Sequence, residues 1–356
     1  HVVAAVLPLH VLDDLAAGEL PVRGLVIVGD IDDLEDAAAA VELAESCGWP
    51  LHSEPTGQAR GGTNALAHAS LLCTSPEFRG AHRPELVVTV GKVGLSRGVL
   101  ALIREADLHI HSEPQRSTDW PDPTRSAGAV LASVPAPPTQ TEVPESSEWL
   151  DRWLMADASA QRIVEKSLEA CAQLTGLHVA RALWDAAGPN DMVFVASSRS
   201  IRDLEAVAGV RSDPPRVLAN RGGNGIDGLV STAVGAAMAH QSTGGGKVFA
   251  MLGDLALLHD QNGLAIGPDE PVPDLCLVVV DNHGGGIFGS LEQAEPALAD
   301  VYERVFGTPV EVDVRGLLSA HGVRLHEGDD LAARIDAAAS APGLNAVVVG
   351  PVSRAA

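Results

Sequence analysis

Two buried-strand patterns in the second half of the chain each end at a side chain that offers a hard oxygen ligand. Asp254 follows residues 248–252, and Asn282 follows residues 275–280, 28 positions after Asp254. Because ligands bind at the carboxyl edge of open parallel sheets, both oxygens should face one site. Such oxygens suit Mg²⁺, and Mn²⁺ accepts similar ligands. Glycines at 284–286 would let the backbone approach a diphosphate, so the pattern predicts a metal and diphosphate site.

Two more turns that follow predicted strands carry functional side chains to the same edge. The glycine-rich turn at residues 218–228 holds Arg221 and Ile226, and an arginine there can bind a carboxylate through two parallel hydrogen bonds. Ser198 and Arg202 are four residues apart, which allows them to share one face of a predicted helix. Both segments also have plainer interpretations, a simple turn in the first case and a serine N-cap in the second.

The elements that must position these residues alternate between strands and helices along the chain. The strand pattern at residues 25–28, for example, is followed by an alanine-rich helical pattern at residues 34–46. This alternation predicts an α/β fold in which helices cover parallel sheets. A proline-rich stretch interrupts it, so we expect two doubly wound parallel-sheet domains. They are placed at residues 1–137 and 149–356, with a stiff linker at 138–148.

Composition and charge narrow the class of partner. The 356 residues are 46% hydrophobic and carry a net charge of −23, which argues against nucleic acid and anionic membranes as partners. No apolar run of about eighteen residues and no leader pattern occurs, so we expect neither a membrane span nor a signal peptide. The four cysteines lie far apart, which favours the reducing cytoplasm. The chain begins at His1, and the sequence leaves open whether that is a natural start.

Three segments together resemble one family of thiamine-diphosphate enzymes. Residues 220–228, 253–264 and 282–288 are similar to the 2-succinyl-5-enolpyruvyl-6-hydroxy-3-cyclohexene-1-carboxylate synthases of menaquinone biosynthesis. In the first half the likeness is weaker, and Arg97 stands in a segment that resembles the basic loop of the family. The family also has an N-terminal pyrimidine-binding domain, whose glutamate activates the aminopyrimidine. Nothing in this chain matches that domain, so the resemblance implies the middle and C-terminal domains only.

The resemblance implies a reaction and a role for each site residue. The family decarboxylates 2-oxoglutarate and adds the remaining succinyl unit to isochorismate in a 1,4-addition that releases carbon dioxide. The implied ligands of Mg²⁺ or Mn²⁺ are Asp254, Asn282 and the carbonyl of Gly284, and the implied contacts of thiamine diphosphate are Leu255, Ala256, Gly285, Gly286, Ile287 and Ile226. The implied substrate contacts are Ser198, Arg202, Arg221, Arg97, Ile287 and Phe288. Among these, Ile226, Arg202 and Arg221 are the residues expected to matter most for catalysis.

Several alternatives and partner expectations stay open at this point. Another thiamine-diphosphate enzyme, such as an acetolactate-synthase-like carboligase, would share the metal motif. A non-catalytic binding module that keeps the fold is the alternative from a different class. The family implies a homodimer or homotetramer, and the isolated fragment is expected to be inactive. Arg79, Arg83 and Arg104 lie close together in sequence in an acidic protein, so a regulatory anion site for a downstream aromatic carboxylate is a further expectation, with ordinary surface arginines as the alternative.

Overall fold

A computed structural model describes residues 21–113, 120–137, 148–220 and 225–353. The folded chain divides into two compact units. The first unit takes in the chain up to Ser167 together with Glu205–Pro214, and the second takes in Leu168–Leu204 and the chain from Pro215 onward. Each unit is built on its own six-stranded sheet.

The first unit contains a parallel sheet with the strand order β3-β2-β1-β4-β5-β6. Its strands are β1 (Gly24–Val28), β2 (Leu51–Ser53), β3 (Ala65–Leu66), β4 (Leu86–Val90), β5 (Leu108–Ser112) and β6 (Ala129–Leu131). Its helices are α1 (Leu34–Cys47), α2 (Ala69–Leu72), α3 (Pro76–Ala81), α4 (Arg97–Glu105) and α5 (Glu148–Ala170), with a 3₁₀ turn at Pro55–Gly57.

The second unit contains a parallel sheet with the strand order β11-β12-β10-β9-β7-β8. Its strands are β7 (Met192–Val195), β8 (Arg216–Leu218), β9 (Val248–Gly253), β10 (Leu275–Val280), β11 (Arg324–Leu325) and β12 (Leu344–Val349). The α-helices of this half of the chain are α6 (Gly176–Ala186), α7 (Arg199–Val207), α8 (Leu229–Ser242), α9 (Asp254–Asp260), α10 (Ala299–Tyr302), α11 (Val314–Ala320) and α12 (Leu331–Ser340). Short 3₁₀ turns span Gln261–Leu264, Ile287–Ser290, Glu292–Ala294 and Pro296–Leu298, and a π-helical turn spans Glu303–Gly307.

Burial along the strands explains the layers. Every residue of β1, β4 and β10 is buried, which is the pattern of parallel strands with helices on both faces. In β1, Val26 and Val28 pack into one core with residues of α1, while Leu25 and Ile27 pack into a second core with α4 and α5. The predicted fold class, two doubly wound parallel-sheet α/β units, is therefore confirmed.

The helix after the proline-rich stretch packs with the first unit. Trp149 and Trp153 of α5 belong to the same core as Leu25 and Ile27, and Trp149 Nε1 donates a hydrogen bond to Gly24 O at 2.8 Å. This compact unit therefore extends beyond the segment 1–137, whereas the boundaries proposed from the sequence remain a prediction about domains. Among the described helices, none combines the length and apolar sequence needed to cross a bilayer.

Candidate active site

Asp254 and Asn282 follow neighbouring strands at the carboxyl edge of the second sheet. The last residues of β9 and β10, Gly253 and Val280, are register partners. Asp254 comes directly after β9, and Asn282 comes two residues after β10. The sequence prediction that these two residues leave the sheet at one edge agrees with this register.

The Asp254 carboxylate is buried and holds the turn that follows β10. It is 2% exposed, and Oδ1 accepts a hydrogen bond from Leu255 N while Oδ2 accepts one from Gly284 N, each at 2.8 Å. Burial raises the pKa of Asp254, and the nearby Asp281 carboxylate raises it further, whereas the two amides oppose the shift. A cation beside this carboxylate would offset the cost of burying its charge.

The Asn282 side chain presents a buried oxygen with no hydrogen-bond donor. Oδ1 of Asn282 is buried, and no partner for it lies in the described part of the chain. Its Nδ2 lies beside Gly286, where an added Cβ would come within 2.7 Å of that nitrogen. Buried carbonyl oxygens are almost always satisfied, so an orphaned one needs an explanation. A hard cation supplies what this oxygen lacks, and the site therefore fits a metal such as Mg²⁺.

The glycine turn after Asn282 packs closely against another part of the same unit. Gly284 has φ +140°, and a Cβ there would overlap Gly307 O. A Cβ on Gly285 would overlap Phe306 O, and Gly285 N donates a hydrogen bond to Gly307 O at 2.7 Å. The glycines permit this close packing of backbone on backbone, whereas their predicted approach to a diphosphate stays a prediction. The Gly285 amide, expected to meet a diphosphate, donates to Gly307 in this structure.

An aromatic cluster adjoins the glycine turn. Ile287 and Phe288 are half-buried, and the Phe288 ring lies 5.6 Å from Phe306, which lies 6.1 Å from Tyr302. Phe306 belongs to the π-helical turn, a rare element that often occurs at functional sites. Phe306 and Tyr302, which the sequence did not single out, thus adjoin the residues from which an apolar wall is expected.

Ser198 and Arg202 follow β7, which is the other neighbour of β9 in the sheet. Ser198 has φ +74°, a conformation that costs a non-glycine residue about 1–2 kcal/mol. Arg202 is exposed, and its Nη1 donates a hydrogen bond to Ser198 O at 2.6 Å. Arg202 thus contacts the backbone of Ser198, but Ser198 precedes α7, so the two residues do not share a helical face as expected. A strained backbone persists only where the surrounding packing holds it in place, and such residues cluster at functional sites.

Two buried acids near this edge were missed by sequence reasoning. Asp281 Oδ1 accepts a hydrogen bond from His283 N at 3.2 Å and so fixes the residue after Asn282. Asp203 lies 3.5 Å from the Arg199 Nε, and burial raises its pKa to about 6 although Arg199 and Arg202 oppose the shift. The position of Asp281 between β10 and Asn282 was a usable signal in the sequence, whereas no local pattern indicates that Asp203 is buried.

Three of the remaining predicted residues are described: Ile226 follows β8, and Leu255 and Ala256 lie in the first turn of α9. Ile226 is partly buried and packs against the apolar core on one face of the sheet, together with residues such as Leu229 and Val230 of α8. Ala256 is buried in the first turn of α9, and Leu255 is partly buried. Arg221 lies outside the described residues.

The predicted arginines of the first unit have protein partners. Arg97 is exposed at the start of α4. Arg79 Nε lies 3.1 and 3.2 Å from the two carboxylate oxygens of Glu105, and Arg83 pairs with Asp107. Arg104 Nη2 donates to Pro123 O at 3.4 Å. These contacts explain the arginines as structural groups, and the regulatory anion site stays a prediction.

Comparisons with known proteins point to one family. A family model described as the middle domain of thiamine pyrophosphate matches residues 19–195. A 2-succinyl-5-enolpyruvyl-6-hydroxy-3-cyclohexene-1-carboxylate synthase from Thermobifida fusca is 46% identical over 303 residues, which is 85% of this chain and 52% of that protein. A synthase of the same name from Saccharopolyspora erythraea is 38% identical, over 85% of this chain and 52% of that protein. Another, from Mycobacterium avium, is 40% identical, over 71% of this chain and 46% of that protein.

A solved structure from Mycobacterium smegmatis, described as a candidate thiamin diphosphate-dependent enzyme, has the same fold. Its TM-score is 0.59 at 18% sequence identity, and the match covers 96% of this chain and 63% of that one. The chain spans about half the length of the curated relatives that it matches. On these matches, the chain belongs to the thiamine-diphosphate-dependent family of 2-succinyl-5-enolpyruvyl-6-hydroxy-3-cyclohexene-1-carboxylate synthases.

Proposed function

We propose that the carboxyl edge of the second sheet binds Mg²⁺ and the diphosphate of thiamine diphosphate. The observation that carries the proposal is the buried, unpartnered Oδ1 of Asn282 beside a turn that is tied to the buried Asp254 carboxylate. Two hard oxygens with an unmet need for positive charge suit a divalent cation that also binds phosphate oxygens. Mn²⁺ would meet the same ligands.

The residues divide into three roles in this proposal. Asp254, Asn282 and the carbonyl of Gly284 hold the metal, and the backbone at Leu255, Ala256, Gly285 and Gly286 borders the diphosphate. Ile226, Ile287 and Phe288 keep water from the reacting part of the cofactor. The chemistry supplied by bound thiamine diphosphate is decarboxylation of a 2-oxo acid and transfer of the remaining carbon unit.

The proposed reaction of the complete enzyme is the one that names its relatives. It converts 2-oxoglutarate and isochorismate to 2-succinyl-5-enolpyruvyl-6-hydroxy-3-cyclohexene-1-carboxylate, with loss of carbon dioxide, in menaquinone biosynthesis. Both substrates are anions, and the chain carries a net charge of −23, so local arginines must offset the repulsion. Arg202, Arg221 and Arg97, with Ser198, are proposed to bind the carboxylates and hydroxyls of the substrates.

The alternative carboligase function is less well supported. Middle domains of such enzymes often bind a nucleotide, and the place for it would be the crevice between β1 and β4. Here the turns after those two strands bond to each other: Asp30 N donates to Lys92 O at 2.9 Å, and Lys92 N donates to Asp30 O at 3.1 Å. The unmet acceptor at Asn282 likewise argues against a module that has lost its cofactor.

The proposal also covers the localisation, assembly, isolated activity and regulation of the protein. We expect a cytoplasmic homodimer or homotetramer, because the family builds its site between subunits. The 356 residues expressed alone are expected to lack 2-oxoglutarate decarboxylation, since the pyrimidine-activating glutamate of the family has no match among them. Regulation by an aromatic carboxylate at Arg79, Arg83 and Arg104 remains part of the proposal, to be tested by inhibition kinetics with Arg79→Ala and Arg83→Ala.

Calorimetry on the complete enzyme tests the metal assignment. Thiamine diphosphate should bind with Mg²⁺ and fail to bind with a chelator. Asp254→Ala should abolish the Mg²⁺-dependent binding, because the remaining neutral ligands cannot balance a diphosphate. Glu85→Gln, which changes an exposed acid of the first unit, is the matched control and should bind normally. Unchanged cofactor affinity in Asp254→Ala would overturn the assignment.

A further inference from the structure

A buried glutamate of the first unit holds two consecutive backbone amides. Glu54 follows β2, is 1% exposed, and its own N donates to Val28 O at 2.8 Å. Its Oε1 accepts hydrogen bonds from Gly94 N at 2.8 Å and from Leu95 N at 2.7 Å. These amides lie 40 and 41 positions away in sequence, so the contact joins two separate strand ends of the sheet. Charge-assisted bonds of this kind are about twice as strong as neutral ones.

The anchored segment leads directly to Arg97. It begins at Gly91 after β4, and α4 starts at Arg97 behind the Ser96 N-cap, whose hydroxyl accepts from Val99 N at 3.4 Å. Gly94 is exposed, and an added Cβ there would meet nothing within 4 Å. The exposed part of this loop is therefore fixed from beneath by the Glu54 carboxylate.

The Glu54 carboxyl group shares its buried surroundings with three titratable or charged groups. Glu205 is 5% exposed and, with His52, acts electrostatically on Glu54. Glu205 Oε2 accepts from Arg60 Nη2 at 2.7 Å, and Glu205 Oε1 lies 3.2 Å from His52 Nε2. Arg60 and His52 thus pair with Glu205, whereas the Glu54 carboxyl group accepts from the Gly94 and Leu95 amides.

We propose that Glu54 is a positioning residue. Its hydrogen bonds to the Gly94 and Leu95 amides hold the loop of residues 91–97, and with it Arg97, in place, and the strength of these bonds changes when Glu54 gains or loses a proton. The proposal rests on the substrate role of Arg97 in the proposed function. The ionised carboxylate grips both amides, and the neutral acid accepts them more weakly. Substrate binding through Arg97 is therefore tighter when Glu54 is ionised.

Because Glu54 is buried, it gains or loses its proton near neutral pH. Burial raises the pKa of Glu54 to about 7, and the Glu205 carboxylate adds to the shift, while the Leu95 and Gly94 amides and His52 oppose it. The loop anchor is therefore expected to strengthen as the pH rises through neutrality.

Amide spectra of the 356-residue chain test the anchor without any assay of activity. The Gly94 and Leu95 resonances in ¹⁵N-TROSY spectra should shift together with pH, with one midpoint near neutrality. In Glu54→Gln, which keeps an acceptor oxygen but does not titrate, both shifts should disappear. Resonances that stay constant in the wild type, or that titrate equally in Glu54→Gln through His52, would overturn the proposal.

Kinetics of the complete enzyme then separate the anchor from the proposed role of Arg97. Glu54→Ala should raise the KM of one anionic substrate about tenfold, because small misplacements of a binding group are costly, while thiamine diphosphate affinity stays unchanged. Glu54→Gln, a neutral acceptor, should give the KM that the wild type has at low pH and should remove its pH dependence, and Glu85→Gln should behave as the wild type. If Arg97→Ala raises KM and Glu54→Ala does not, the inference fails and the proposed function stands. If neither variant moves KM, the substrate role of Arg97 fails and the inference falls with it.

Discussion

The two sheets have similar parallel, doubly wound architectures, yet their carboxyl edges differ in how the backbone and side chains are satisfied. At the first edge the turns after β1 and β4 bond to each other through Asp30 and Lys92, in both directions. At the second edge the Asn282 Oδ1 is buried without a donor beside the carboxylate of Asp254. Buried hydroxyl oxygens without a partner also occur near the first edge, at Thr56 and Ser112, so the edges differ in the kind of group that is left over: hydroxyls at the first edge, and an amide oxygen beside the Asp254 carboxylate at the second.

Glycine illustrates the same contrast. A Cβ on Gly29, at the first edge, would overlap the backbone of Lys92, so this glycine lets two turns of the unit close on each other. Gly284 and Gly285 also permit close backbone packing, but the turn they form leads away from Asn282 and carries the amide that binds Asp254. A shared topology therefore does not decide function, which depends on which polar groups stay unsatisfied.

Within this comparison of the two edges, the largest expected effect comes from replacing the orphaned amide. Asn282→Leu in the complete enzyme should weaken Mg²⁺-dependent thiamine diphosphate binding by at least about 100-fold, while stability stays nearly unchanged, because the oxygen that is lost had no protein donor. The control is Asn345→Leu, which removes a fully bonded buried amide: Asn345 Oδ1 meets His326, and its Nδ2 donates to three carbonyls.

Asn345→Leu should lose about 3 kcal/mol of stability and leave cofactor affinity intact. Calorimetry measures the binding and urea unfolding measures the stability. The contrast between a ligand amide and a structural amide breaks down if the two variants behave alike.

The second effect concerns the arginine at the open edge. Arg202→Ala should raise KM or lower kcat by about ten- to a hundredfold, which corresponds to about 1.5–3 kcal/mol for a lost charged hydrogen bond. Arg221→Ala should act similarly, and cofactor affinity should change little in either variant. Arg181→Ala, which removes an exposed helical ion pair with Asp185, is the control. Normal kinetics in both site variants would make these arginines part of the scaffold.

The third effect tests whether the first edge is closed. Gly29→Ala should destabilise the chain by about 2 kcal/mol, since the added methyl group meets the Lys92 backbone rather than a flexible side chain. Gly80→Ala in α3, where nothing lies within 4 Å, should be neutral or slightly stabilising. Thermal or urea unfolding gives both values. If Gly29→Ala is tolerated, the first edge has more room than its backbone bonds imply.

The sequence predicted well those features that local patterns encode. Buried apolar runs identified strands such as β9 and β10, and the spacing of Asp254 and Asn282 located the second edge. The sequence did not predict contacts between segments that are distant along the chain. Nothing near Glu54 signals partners 40 positions away, and nothing in the glycine turn signals its bond to Gly307. Such contacts depend on how the loops pack after the sheets have formed.

The fourth effect is a pH dependence that originates in the first unit. The pKa of Glu54 is raised to about 7 in the folded chain, chiefly by burial, against an ordinary value of 4.5. The folded state therefore holds a proton that the unfolded state has released. The stability contributed by this group is present below pH 4.5 and is lost as the pH rises toward 7. The slope should reach at most about 1.4 kcal/mol per pH unit.

Urea unfolding at a series of pH values measures that slope, and Glu54→Gln should flatten it. Asp203→Asn gives the corresponding test in the second unit, because burial also raises the pKa of Asp203, to about 6. An unchanged slope in Glu54→Gln would show that Glu54 ionises as readily when folded as when unfolded.

The smallest effect compares two strained residues, one in each unit. Ser198 has φ +74° at the second edge, and Gln58 has φ +56° after the 3₁₀ turn Pro55–Gly57. Glycine adopts both conformations without strain but has a more flexible unfolded state, so each change to glycine should stabilise the chain by about 0.5 kcal/mol. Only Ser198→Gly should lower the activity of the complete enzyme, because it removes a hydroxyl that is proposed to bind substrate. Equal activity in Ser198→Gly and Gln58→Gly would mean that the strain at Ser198 serves the turn alone, in which case Arg202 would have to bind substrate without that hydroxyl.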